Sequence, residues 1–276
     1  MGFRERWEAS RAPLLHIAVD EGAGPPVILL HGIASSSSVT FIHAVPLLVP
    51  RHRVIAIDLL GFGKSPNPPD SGFTLEEHVQ ALARTIRSLR LKTSVTLVGH
   101  SLGALIGIRY AAENRRRVSH LVLVAPPVYM PGNTMIDPVE RMQMDAYRWL
   151  YDYMRSNQSF TTAGARALSR LSPFKNLLDV DESTWRAFSM SLEKCIESPR
   201  TLTDLAQVKV PIDLLYGTRD PFLAPSGLRV IERMRGVSTT RVEGQDHVVR
   251  PRMAEEIMRV VDNPSPPTAV VDSVTV

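Results

Sequence analysis

The sequence predicts an α/β protein with a mostly parallel central β-sheet flanked by helices and one helical insertion. Three observations carry this. Short β-branched runs alternate with longer segments of helical spacing along most of the chain. Strands that alternate with helices imply a parallel sheet covered on both faces. One stretch, residues 127–206, breaks the rhythm and holds no convincing strand.

The strand candidates are residues 14–19, 26–30, 53–57, 95–98, 120–124, 212–216 and 239–242. Three helices stand out between and after them. In residues 74–89, Leu75, Val79, Leu82, Ile86 and Leu89 fall on one stripe, and Thr74 with Glu77 forms a capping box. Residues 101–114 and 251–261 carry the other two patterns. The insertion holds nine of the 17 aromatic residues and six of the ten methionines, so it reads as several helices packed above the sheet. For any single one of these side chains, packing within the insertion is the default. Lining a binding cavity is the alternative. From Asn263 the chain carries Pro264, Pro266 and Pro267, which reads as a loose tail.

Composition bounds the function. At 276 residues, with 44% hydrophobic and 22% charged, the chain can bury a large core, which excludes disorder as its main state. The single cysteine, Cys195, excludes an internal disulfide framework and a cysteine-built zinc site. The eight histidines show no paired ligand spacing, so no metal is expected. No apolar run approaches the roughly 18 residues of a membrane span. The net charge is +4, and its clusters, such as Arg115-Arg116-Arg117, have no interleaved aromatics. They read as solvated helix faces rather than a nucleic-acid footprint. No signal peptide follows Met1, and Arg6 stands where a myristoylation signal needs Ser or Thr. A cytoplasmic protein, monomer or homodimer, acting on a small molecule is the expectation.

The chemistry concentrates at strand ends. Gly99-His100-Ser101-Leu102-Gly103 lies between a strand and a helix. Flanking glycines leave room for a strained corner that pushes a serine hydroxyl clear of the sheet. The helix N-terminus beneath it aims amide N–H groups at the same place, with the N–H of Leu102 as an oxyanion donor. A Gly-x-Ser-x-Gly match arises by chance in about one chain in ten of this length, so the strand–turn–helix context gives it weight. A serine hydroxyl needs an adjacent base. His247, in the turn after the last strand, is the only histidine beyond His120. A carboxylate must orient it, and Asp220 in Gly217-Thr218-Arg219-Asp220-Pro221 sits at a strand's C-terminal edge, where α/β sheets place ligands. The strand after the serine helix offers no acid until Asp137. Asp246 adjoins His247 and cannot easily bring its carboxylate onto the far ring nitrogen.

His31-Gly32-Ile33 closes the strand at residues 26–30, where backbone must approach the serine. His31 reads as a hydrogen-bonded organiser of this loop. The run Ser35 to Ser38 reads as a flexible loop. Gly61 and Gly63, in the stretch from Asp58 to Ser65, lack the spacing of a phosphate loop and read as a tight turn.

Over nearly its whole length, to about Val261, the chain resembles the α/β-hydrolase superfamily. His31-Gly32, Asp58 to Ser65, Gly99 to Gly103, Asp220 and His247 occur in that family's order and spacing. The resemblance implies a triad of Ser101, Asp220 and His247, with Ile33 and Leu102 giving the oxyanion-hole amides. It also implies a core of residues 1–126 and 207–262 and a helical cap at 127–206, which leaves the proline-rich stretch at 263–276 as the tail. His31, Gly32, Met130, Trp149 and Tyr153 are the candidates for substrate contact. Ser101 excludes the dehalogenase and epoxide-hydrolase branches, which use aspartate there. A glycine-rich run typical of the C–C bond hydrolases is missing after Gly32. The implied activity is that of a serine hydrolase of carboxylesterase type, cleaving an ester bond of a small hydrophobic substrate without a cofactor. Thioesterase, lactonase, C–C hydrolase and perhydrolase are alternatives on the same triad, and a non-catalytic ligand receptor is the alternative outside enzymes.

Overall fold

A computed structural model of the chain describes residues 12–129, 138–171, 180–196 and 200–265. Seven strands form one sheet: β1 (Ile17–Glu21), β2 (Pro26–Leu30), β3 (Arg53–Ile57), β4 (Val95–His100), β5 (Val118–Val124), β6 (Ile212–Gly217) and β7 (Val237–Val242). Their order is β1-β3-β2-β4-β5-β6-β7, with β1 antiparallel to β3 and every other pair parallel.

The central strands are buried on both sides, which is why they read as unbroken apolar runs. One face carries Ile28, Leu30, Ile55, Ile57, Leu97, Leu121, Leu123 and Leu214 into a core with helices α3 (Leu75–Ser88) and α4 (Leu102–Glu113). The other face carries Val27, Leu29, Val54, Ala56, Val98, Val122, Val124 and Leu215 against α10 (Pro251–Asp262). The short helices α1 (Ser37–Thr40) and α2 (Val45–Leu48) follow β2. Helix α3 starts as expected: the Thr74 hydroxyl accepts from Glu77 N–H, and the Glu77 carboxylate accepts from Thr74 N–H.

Strands β5 and β7 begin two residues earlier than expected, at Val118 and Val237, and two further expectations differ from the structure. The first strand begins at Ile17 rather than at residue 14. Side chains take the earlier amides: Leu15 N–H donates to Thr85 Oγ1 and His16 N–H to Ser65 Oγ, both at 2.9 Å. The run of four serines is not an open loop. It enters α1, where Ser37 N–H donates to Asp58 Oδ1 and its hydroxyl to the Ile57 carbonyl.

Between β5 and β6 the described residues hold only helices: α5 (Pro138–Ser156), α6 (Gln158–Leu171), α7 (Trp185–Ser191) continuing into a π-helical turn (Leu192–Ile196), and α8 (Thr201–Gln207). Helix α9 (Pro225–Glu232) joins β6 to β7. Among the described residues no helix is long and apolar enough to cross a membrane.

Candidate active site

Sheet topology places the site. From β2 the chain steps to β3 on one side, and β4 returns on the other side of β2. A parallel sheet opens a crevice beyond the C-terminal strand ends where its order reverses. Here that point lies between β2 and β4, paired in register as far as Leu30 and Gly99. Beyond those residues come His31-Gly32-Ile33 and Ser101, so the fold itself brings the two loops together.

Ser101 stands at φ 52°, ψ −118°, a conformation that strains any L-residue, between β4 and α4. Its N–H donates to the Val124 carbonyl at 2.9 Å, and its carbonyl accepts from Ala104 N–H. The glycines allow this corner. A Cβ on Gly99 would lie 2.4 Å from the Gly103 carbonyl oxygen, and one on Gly103 would lie 2.3 Å from that of Leu30. Leu102 is the first residue of α4, so its N–H has no partner within the helix.

Beyond β6 and β7, Asp220 and His247 meet. His247 Nδ1–H donates to Asp220 Oδ2 at 2.7 Å. The Asp220 side chain is shut from solvent, and its other oxygen accepts from Phe222 N–H at 2.9 Å. The Phe222 ring meets the imidazole edge-on, with centroids 5.0 Å apart. His100 also lies against this imidazole, with ring centroids 4.9 Å apart, and donates Nε2–H to the His247 carbonyl at 2.8 Å. The residue before the serine therefore touches the histidine loop directly. Asp246 is engaged elsewhere, by Arg250, Gln245 and Val248 N–H. Burial opposes its charge, but those hydrogen bonds hold its carboxyl below the usual range.

His31 organises its loop by both ring nitrogens. Nε2 accepts from Leu59 N–H at 2.8 Å, so Nδ1–H donates to the Gly32 carbonyl at 2.6 Å. Burial lowers its pKa to about 4, which keeps the ring neutral for this double role. Asp58 supports the neighbouring turn. Its Oδ2 accepts from Lys64 N–H and His16 Nδ1–H, and a Cβ on Gly63 would meet that oxygen at 2.4 Å.

The other sequence candidates are distributed as follows. Gly32 lies beside the serine, with its missing Cβ 3.1 Å from Ser101 Cβ. Trp149 is 67% exposed and stacks on Tyr153 at 5.6 Å, and Tyr153 meets the edge of Phe160. Met130 lies outside the described residues. The sequence reading did not single out His100, Phe222 or Tyr129. The Tyr129 hydroxyl donates to the Phe222 carbonyl at 3.0 Å and lies 3.1 Å from that of Tyr151 on α5. No local signal in the sequence marks His100, whose contacts with His247 are long-range.

Cys195 is a poor nucleophile. It is buried, its thiol donates to the Phe73 carbonyl, and burial pushes its pKa up to about 12. Among the described residues no group of three or more His, Cys, Asp or Glu side chains could hold a metal ion.

With this geometry in view, the chain belongs to the alpha/beta hydrolase fold family, whose model matches residues 25–248. A "Probable lysophospholipase BODYGUARD 3" of Arabidopsis thaliana is 39% identical over 106 residues, 37% of this chain and 21% of that protein. The first Arabidopsis relatives are matched over less than a third of their own length. A haloalkane dehalogenase of Mycolicibacterium paratuberculosis is 28% identical over 264 residues, 85% of this chain and 80% of that protein. Among solved structures, an esterase from Exiguobacterium antarcticum superposes with a TM-score of 0.73 at 21% identity, covering 90% of this chain and 94% of that one.

Proposed function

We propose that the chain is a serine hydrolase that cleaves an ester-type bond of a small, largely hydrophobic substrate through an acyl-enzyme on Ser101. The observation that carries this reading is the Asp220–His247 hydrogen bond beside a strained serine corner. Asp220 holds the proton on Nδ1 and leaves Nε2 as the basic nitrogen. His247 takes the Ser101 proton as the hydroxyl attacks the carbonyl. It returns that proton to the leaving alcohol, and water then repeats the sequence on the acyl-enzyme.

The oxyanion falls to the amides of Leu102 and Ile33. His31 supports the second assignment. It holds the Gly32 carbonyl, and a trans peptide points its N–H opposite to its C=O, so the Ile33 N–H faces away from that ring. The helices between β5 and β6 act as the cap. They are tied to the acid loop through Tyr151, Tyr129 and Phe222.

The likeness to a dehalogenase favours no halide chemistry here. A serine oxygen that displaced halide from an alkyl carbon would form an ether, which water and a histidine base do not cleave. An acyl ester on the same oxygen is cleaved by the step that formed it. A panel of p-nitrophenyl esters, lactones and thioesters tests the reading, with Ser101→Ala as control. Hydrolysis of at least one class by the native chain and its loss in the variant supports it. An inert native chain, or an unaffected variant, overturns it.

A further inference from the structure

His100 has contacts that its place in the serine corner does not require. Its ring fills the space between two functional loops. On one side its Nδ1 lies 3.0 Å, and its Cε1 3.3 Å, from where a Gly32 Cβ would project. On the other it packs on the His247 imidazole and donates Nε2–H to the His247 carbonyl at 2.8 Å. We propose that His100 is a positioning residue that couples the oxyanion loop to the general base, a role that rests on the hydrolase reading above.

A base is useful only if its backbone is fixed as well as its ring. Asp220 sets the ring's proton and Phe222 packs against the imidazole. His100 supplies the tie on the main chain of His247 and packs against the same ring. Because the same ring abuts Gly32, displacement of either loop is felt by the other. Its Nδ1 is buried without a partner, which is unfavourable, and such a broken local rule is expected at functional sites. The titratable groups that face His100 are His247 and His31. Burial, with these neighbours, lowers its pKa to about 3, so the ring stays neutral and does not oppose an imidazolium forming on His247.

His100→Gln and His100→Met test the tie, since the two side chains match in length and differ in the donor. Three readouts apply: kcat and KM on an ester the native chain hydrolyses, the acid limb of kcat/KM, and the low-field proton resonance of His247 Nδ1–H. In the methionine variant kcat is expected to fall about 10- to 100-fold, with KM within about threefold. Its acid limb departs from that of the native chain, because the imidazole is held less well against Asp220, and the resonance broadens or disappears. Glutamine restores kcat to within about fivefold and recovers the resonance. Where methionine does not fold, His100→Phe, which retains a ring and lacks the donor, takes its place. Equal activities in both variants, or equal losses with pH limb and resonance unmoved, overturn the proposal. The resonance is read without substrate. An inert native chain therefore overturns the hydrolase reading, while the same spectra still decide whether His100 holds His247.

Discussion

Asp220 Oδ2 accepts the Nδ1 proton of His247 at 2.7 Å while Oδ1 of the same carboxylate accepts from Phe222 N–H at 2.9 Å. Both oxygens are committed, so the carboxylate cannot rotate without losing one bond. In Asp220→Asn the amide oxygen can still accept from Phe222 N–H, which leaves its NH2 facing His247 Nδ1. That arrangement moves the imidazole proton to Nε2 and removes the base. Steady-state kinetics are expected to show kcat reduced about 10³- to 10⁴-fold, with the melting temperature little changed.

Glycine is required at position 103 because α4 begins against the end of β2. A Cβ there would stand 2.3 Å from the Leu30 oxygen and 2.6 Å from that of His31, both backbone atoms. Gly103→Ala is expected to cost at least about 2 kcal/mol, a fall in melting temperature of roughly 4 °C or more. Gly164, on α6, has nothing within 4 Å of its missing Cβ. Gly164→Ala should leave the melt unchanged or raise it. Calorimetry of the two variants checks both.

The Tyr129 hydroxyl joins α5 to the loop that carries Asp220, through Tyr151 and the Phe222 carbonyl. Tyr129→Phe removes the hydroxyl and retains the ring. It should cost about 1 kcal/mol, raise KM more than it lowers kcat, and speed proteolysis within residues 138–171. Kinetics alongside limited digestion read these effects.

Three histidines are buried neutral: His31, with pKa lowered to about 4, and His78 and His100, lowered to about 3, in each case chiefly by burial. Folded values below the unfolded one mean that the unfolded chain binds more protons as pH falls. Stability is therefore full above about pH 6.5 and is lost on descending toward pH 4 to 3, at up to about 4 kcal/mol per pH unit for three groups. Urea melts between pH 7 and 5 are expected to show this loss. His78→Gln, which retains a donor toward Ser191 Oγ, should reduce the slope by about one proton. A slope that His78→Gln leaves unchanged would contradict the assignment.

Much of this was legible in the sequence because it depends on local pattern. The strand runs, the Thr74–Glu77 capping box and the serine between glycines each follow from residues a few positions apart. Asp220 and His247 were legible because each follows a strand at the ligand-bearing edge. What was not legible depends on long-range contact. Nothing local tells that Ser37 takes up Asp58, or that Leu15 and His16 give their amides to Thr85 and Ser65 rather than to a strand. The same holds for His100. Its role comes from a carbonyl 147 residues away. Trp149 shows the limit of composition: aromatic enrichment picked it out, yet it is largely exposed and stacked on Tyr153.

The most direct test of the central claim is covalent. A fluorophosphonate reacts only with a serine whose proton has a base to receive it. Mass spectrometry of the digested, treated chain should find one phosphonyl group on the peptide containing Ser101, and none after Ser101→Ala or in a denatured sample. A folded chain that takes no label, or carries it on another residue, would contradict the account.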